Sequence, residues 1–334
     1  MDTDPALKEH FAERSTEPTG IKMPKFDSPD LPSAVVPTPK NEKRDPNNPC
    51  ALDATTVAAC LPLTTALADL GPSTAVVATE DGNLYIVEPG KTPRLLANVG
   101  TAVRQILVSP SVTEDGQIFV LRADSTVARV TVFPATVHAP EPAEVRELPD
   151  VTEVGIIAIY FDDHGNLKKL LAGDPGIDIR SICHGPGNMP LLATAKLDGI
   201  PQLVQWVDGW IEPLGGVDLA NDIAGCTVIG DHVAIAIPEA QKVVSVPIKP
   251  SAGLAPHGPS AQKKWELAGS PTTLVDGDFG RISHLAAVAG THGFELWGAT
   301  TNKSPEIAES RQSSESDERV IRLPSDGKAG ASPD

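Results

Sequence analysis

The densest charged run in this chain of 334 residues is Asp276-Gly277-Asp278-Phe279-Gly280-Arg281, followed closely by His284. Carboxylates, a guanidinium and an imidazole at this spacing are the groups that acid–base work or anion capture requires. Asp276, Asp278, Arg281 and His284 are therefore candidates to line one binding face. His184, in the loop Cys183-His184-Gly185-Pro186-Gly187-Asn188, has the side chain of a general base at a cavity mouth. Asp174, in Ala172-Gly173-Asp174-Pro175-Gly176, is placed to hold an ion. Each of these runs also carries Gly, and two carry Pro, so a plain turn or an ion-paired loop is the favoured reading of each. As catalytic groups only His184, His284 and Arg281 come forward, and none has a second fixed polar residue beside it in sequence to define a reaction.

Other chemistry-bearing residues read as structure. Asp162-Asp163-His164-Gly165 places its side chains in a hairpin turn, where neighbours point apart, and lacks the alternating acidic ligands of a calcium loop. Trp206 and Trp210 flank a turn and suit packing, although they, Trp265 and Trp297 could stack on sugars. No nucleophile elbow, phosphate-binding loop or dinucleotide fingerprint occurs, and no metal site is expected.

The four cysteines, Cys50, Cys60, Cys183 and Cys226, contain no C-x-x-C pair, which argues against zinc or thioredoxin-like chemistry. Cys50 and Cys60 bracket a short loop ahead of the first strand. Cys183 and Cys226 each lie near the start of a repeat, where adjacent repeats could bring them together. The expected pairs are Cys50–Cys60 and Cys183–Cys226, which require an oxidising compartment. The competing reading is four buried reduced thiols in a cytosolic protein.

Composition sets the scaffold. Hydrophobic residues make up 40% of the chain but aromatics only 4%, so small and branched aliphatics must fill the core. Thirty-two prolines and 28 glycines oppose long helices and favour short strands joined by turns. A net charge of −17 repels phosphate backbones and anionic lipid, which excludes charge-driven binding of nucleic acid or membrane surfaces. No apolar run is long enough to span a bilayer, and the polar start MDTDPALKEHFAERS does not read as a signal peptide. It fits a cytosolic protein or an exported one whose signal has been removed.

The elements that must position the candidate residues repeat. Ser73–Val99 reads strand, Asp81-Gly82 turn, strand, Pro89-Gly90 turn, strand. Further units of this kind begin near residues 103, 154, 182, 221 and 282, a mean spacing of about 42, which matches four-stranded propeller blades. The resulting expectation is an all-β protein. Residues 1–49 form a disordered, Pro-rich tether, residues 50–325 a six-bladed β-propeller, and residues 326–334 a disordered tail. Two inserted loops, 250–263 and 303–318, interrupt the repeat, and Arg319–Pro324 returns as a late closing strand.

The segment Leu296-Trp297-Gly298-Ala299-Thr300-Thr301-Asn302-Lys303-Ser304 resembles the closing segment of the actinobacterial LppZ-type lipoproteins. Those are divergent relatives of the soluble glucose/sorbosone dehydrogenases, six-bladed propellers that use PQQ and calcium. The Pro-rich arm ending in Cys50 and Cys60, the later Cys183 and Cys226, and the stretch Val103–Pro110 agree with it. The resemblance implies an exported protein whose native N-terminus is a lipidated cysteine, in whose place Met1 stands. It carries over no catalytic residue: the Gly-Gly-Leu expected near VRQILVSP is missing, His184 does not fit the dehydrogenase histidine motif, and of the cationic groups that hold PQQ only Arg281 is a remnant.

The expected function is thus a secreted or lipid-anchored, monomeric propeller of the cell envelope that binds a protein or glycan without catalysis, as a scaffold or an accessory subunit of a membrane complex. No cofactor is expected. The alternative is a PQQ-dependent aldose dehydrogenase with PQQ and calcium. Alkylation of the denatured protein separates the two cysteine readings. All four thiols should react only after reduction, and four thiols reactive without reductant would remove the export argument.

Overall fold

In a computed structural model of the chain, the residues described are 50, 52, 55–109, 116–132, 143–161, 165–171, 177–183, 192–207, 210–214, 223–251, 265–277, 279–291, 293–301 and 318–324. The expected tether (1–49) and tail (326–334) lie outside them. The described residues form strands and turns, and among them no helix is long and apolar enough to cross a membrane.

The chain enters through β1 (Thr56–Leu61) and then builds its first blade from β2 (Thr64–Gly71), β3 (Thr74–Thr79), β4 (Asn83–Val87) and β5 (Arg94–Asn98). The second blade is β6 (Val103–Val108), β7 (Gly116–Arg122), β8 (Val127–Val132) and β9 (Glu144–Glu147). A two-stranded sheet follows, β10 (Ile156–Phe161) and β11 (Leu167–Leu171). Next come β12 (Ile177–Cys183), β13 (Leu192–Leu197), β14 (Ile200–Val207) and β15 (Trp210–Pro213). The five-stranded sheet is β16 (Cys226–Ile229), β17 (His232–Ile237), β18 (Lys242–Pro250) and β19 (Trp265–Leu267), with β20 (Thr272–Asp276) also paired to β18. The last blade is β21 (Arg281–Gly290), β22 (Gly293–Thr301) and β23 (Glu318–Leu323), with β1 as its fourth strand.

The expectation of six full blades is therefore corrected to five. The third repeat supplies only the β10–β11 hairpin. The reason is chain length: β12 begins six residues after β11 ends and already belongs to the next sheet, leaving no chain for a third and fourth strand. The closing strand also differs from expectation. Arg319–Pro324 does return as a strand, but β23 is third in its blade, and β1 from the start of the domain completes it, Thr56 opposite Ile321 and Leu61 opposite Glu318.

Side-chain alternation turns these sheets into a stack. On β3, Val76 and Ala78 face the second blade while Ala75 and Val77 face the last. On β7, Ile118 and Val120 face the first blade, and Phe119 and Leu121 face the β10–β11 hairpin, where Phe119 meets Phe161 edge-on with ring centroids 5.6 Å apart. On β17, Val233 and Ile235 face one neighbour and Ala234 and Ala236 the other. Central strands buried on both faces read as nearly continuous apolar runs, although alternation still decides which neighbour each side chain meets.

The opening turn follows its sequence. Gly82 has φ +79°, and a Cβ there would lie 2.7 Å from the Thr101 nitrogen. Asp81 accepts hydrogen bonds from the Thr79 hydroxyl at 2.5 Å and the Asn83 amide at 3.2 Å.

Leu61, 2% exposed on β1, packs with Trp297, Val77 and Val288 where the last blade meets the first. Leu61→Ala should cost about 3 kcal/mol of unfolding free energy by denaturant titration, the usual cost of a truncated core leucine. A loss under about 0.5 kcal/mol would show that β1 does not close the ring.

Candidate functional site: the central cavity

Each sheet sends its first strand inward, and these strands surround a cavity of about 580 Å³. Residues of β2, β6, β10, β12 and β21 line it, together with Ala224, Gly225 and Cys226 at the start of β16. The backbones approach closely here. Gly225 donates its N–H to the Ser283 carbonyl at 2.8 Å, and a Cβ on Gly225 would lie 2.7 Å from the His284 Cα.

Among the described residues, the ionisable side chains lining the cavity are Arg104, Arg180 and His284, with no Asp or Glu. Arg104 donates from Nη1 to the Ile156 carbonyl at 3.3 Å, which spans β6 to β10. Arg180 pairs with Asp178 two residues away at 2.8 Å, a partly exposed contact. Beside them Gln105 is buried and clamps the Ile159 backbone, donating to its carbonyl at 2.7 Å and accepting from its amide at 2.8 Å.

His284 sits in the β21 wall. Its imidazole is enclosed by protein, and that desolvation pulls its pKa down to about 4, against a hydrogen bond with the Thr64 backbone that favours the charged form. On the same residue, the Thr64 amide donates to the buried carboxylate of Glu318. His284 and Glu318 thus hold Thr64 from the last blade, and Asp69 adds to this seam by accepting from the Ala289 and Gly71 amides at 3.2 Å each. Burial pushes the Asp69 pKa up, opposed by those two amides.

The Asp276–His284 run does not stay together. Asp276 ends β20 and ion-pairs with Lys242 of β18 at 3.3 Å, Arg281 opens β21, and His284 lies in the cavity wall. Asp278, His184 and Asp174 lie outside the described residues. Arg104 and Arg180 were missed. Their signal was a polar residue within an inner strand, Arg104 in VRQILV and Arg180 in IDIRSIC, legible only once those strands are known to face the channel.

The cysteines pair as expected. Cys50–Cys60 ties β1 to Cys50 at the start of the domain, and Cys183–Cys226 joins β12 to β16 across two blades beside the cavity. Among the described residues no cluster of three His, Cys, Asp or Glu side chains is placed to hold a metal ion.

No protein-family description matches the chain, and no curated protein matches it by sequence. Solved structures do resemble it. The PQQ-bound aldose sugar dehydrogenase of Streptomyces coelicolor aligns over 80% of this chain and 96% of its own, at 14% identity and TM-score 0.52. A putative oxidoreductase of Thermus thermophilus, described as a glucose dehydrogenase, aligns over 80% and 98%, at 14% identity and TM-score 0.53. At this identity the likeness is one of fold, a β-propeller.

The depressed His284 pKa sets a pH dependence. The unfolded imidazole takes its proton near pH 6.5 and the folded one near 4, so the folded state binds fewer protons between them. Stability should fall as pH drops from about 6.5 to 4, and His284→Gln should flatten that limb in denaturant titrations. An unchanged slope in the variant would show that His284 is not the group responsible.

Proposed function

We propose that this chain is an exported, lipid-anchored propeller of the cell envelope that binds a small organic polyanion in its central cavity and does not turn it over. The observation that carries this reading is the cavity wall: among the described residues it presents two arginines, of which Arg180 pairs with Asp178 beside it, and no Asp or Glu lines it, in a chain of net charge −17. Guanidinium groups recognise carboxylate and phosphate through paired donors, and 580 Å³ is within the usual range for a small-molecule site. Export is supported by the two disulfides. The LppZ-type setting, with a lipidated N-terminus and an envelope protein or glycan as partner, is supported by the resemblance of Leu296–Ser304.

The likeness in fold to a PQQ-bound aldose sugar dehydrogenase favours a second reading, in which the polyanion is PQQ and the chain oxidises an aldose. Arg104 and Arg180 suit a polycarboxylate of that kind. The remaining requirements are poorly met by the described residues. Calcium has no cluster of acidic or imidazole ligands there, and an imidazole with a pKa near 4 is a weak base at neutral pH. No reaction step is therefore assigned to this chain.

The two readings separate in one set of assays. PQQ should raise the melting temperature of the wild-type protein, and Arg104→Gln with Arg180→Gln should weaken that binding about tenfold or more, the usual effect of losing a charge-assisted hydrogen bond. Dye reduction with PQQ, calcium and a panel of aldoses should stay at background. Sugar-dependent dye reduction would replace the binding reading with the dehydrogenase.

A further inference from the structure

Every inner strand is irregular near its start. On β2, Thr64 lies opposite Thr79 and Ala66 opposite Ala78, so Thr65 is an extra residue with no cross-strand partner. The same two-against-one count recurs at Arg104 of β6, Ile157 of β10, Arg180 of β12 and Ser283 of β21. At the start of β16, Ala224 donates to the Ala236 carbonyl at 3.0 Å and the Gly225 carbonyl accepts from the Ala236 amide at 2.9 Å, so two residues again meet one. Such bulges re-aim the extra side chain out of the strand's alternation. All of these positions line the cavity, and among the described residues of β10 Ile157 alone reaches it. Thr65, Arg104, Ile157 and Ala224 each stand more exposed than the buried residues on either side. On an inner strand, that pattern turns the extra side chain toward the axial space.

The extra residues thus form a collar, which reads Thr65, Arg104, Ile157, Arg180, Ala224, Ser283 from sheet to sheet. We infer that this collar reads the cavity's ligand, and that the ligand is a short diacid with an apolar body: its two anionic groups meet Arg104 and Arg180, and its body meets Ile157 between them. The inference rests on the anion reading proposed above. A guanidinium carries five N–H donors, so the Ile156 carbonyl held by Arg104 and the Asp178 carboxylate beside Arg180 leave donors for a ligand. Ile157 packs toward the next sheet, and neither it nor Ala224 offers a side-chain hydrogen bond. The two hydroxyls of the collar are turned away from the axis: Ser283 donates to the Ala299 carbonyl at 3.4 Å, and the Thr65 oxygen is buried. A hydroxyl on the ligand body would therefore lose its water without a replacement, which costs binding.

Calorimetric titration of the full-length protein with adipate and glucarate tests this, since the two are dicarboxylates of equal length and charge that differ in their hydroxyls. Adipate should bind about tenfold or more tighter than glucarate. Ile157→Thr, which keeps the branched shape, should narrow that ratio about threefold or more, as expected for replacing a buried methyl by a hydroxyl. Ala224→Asp sets a carboxylate in the collar and should weaken adipate about tenfold or more, because like charges brought together disfavour binding. Equal affinity for the two acids, tighter binding of glucarate, a ratio unchanged by Ile157→Thr, or adipate binding that Ala224→Asp leaves intact would overturn the proposal. A wild-type protein that takes citrate but neither of the two acids would overturn this inference alone. One that takes none of the three would overturn the anion reading with it.

Discussion

The ring has to close. Each full blade is a sheet with apolar side chains on both faces, and neither face can be left in water, so a blade is stable only between two neighbours. Six apolar seams meet this requirement, and the seam between the last blade and the first is where the two ends of the fold join. There the chain weaves its first strand into its last blade, so that unravelling either end costs ladder hydrogen bonds as well as core. Polar latches reinforce this seam: Ser73 donates to the Ala289 carbonyl at 2.5 Å, Asp69 accepts from Ala289, and Glu318 accepts from Thr64. The Cys50–Cys60 disulfide fastens the same strand at its outer edge.

The cavity is a consequence of closure. Inner strands that meet at the axis cannot all pack against one another, and the space they leave takes its character from the few side chains turned into it. Close backbone approach at Gly225 draws two blades together, whereas Gln105 and Gln205 tie neighbouring sheets through paired bonds to single backbone residues, Ile159 and Trp265. Among the described residues Arg104 and Arg180, the latter paired with Asp178, are the charged groups of the wall at neutral pH, because burial keeps His284 uncharged. An acidic protein with a basic interior concentrates its attraction for anions at one place while its surface repels them.

Much of the fold was legible because turns and alternation are local. The Asp81-Gly82 turn, the hairpin of β16 and β17, and β8 and β11 follow from Gly positions and period-two patterning. β1 (TVAACL) was not read as a strand because its residues are small and its partner lies at the opposite end of the chain. β12 is hard to read from sequence because IDIRSIC alternates only as far as Arg180, and a register shift between Ile179 and Ser181 breaks the pattern. The deficit of the third repeat was hidden by its hairpin, which looks like the start of any other blade. The site was less legible than the fold. A run such as Asp276–His284 suggests a cluster, yet a strand start and a neighbouring blade separate its members, while Arg104 and Arg180 are far apart in sequence and line one cavity only once the sheets stand around it.

The central claim is that the arginines of the inner strands make the cavity an anion site, and calorimetric titration of citrate, a plain tricarboxylate, measures it most directly. The wild-type protein should take up one citrate per chain with an affinity that weakens as salt is added, and the double variant Arg104→Gln, Arg180→Gln should give no binding heat. Binding of equal strength in the variant, or no heat with the wild-type protein, would contradict the account.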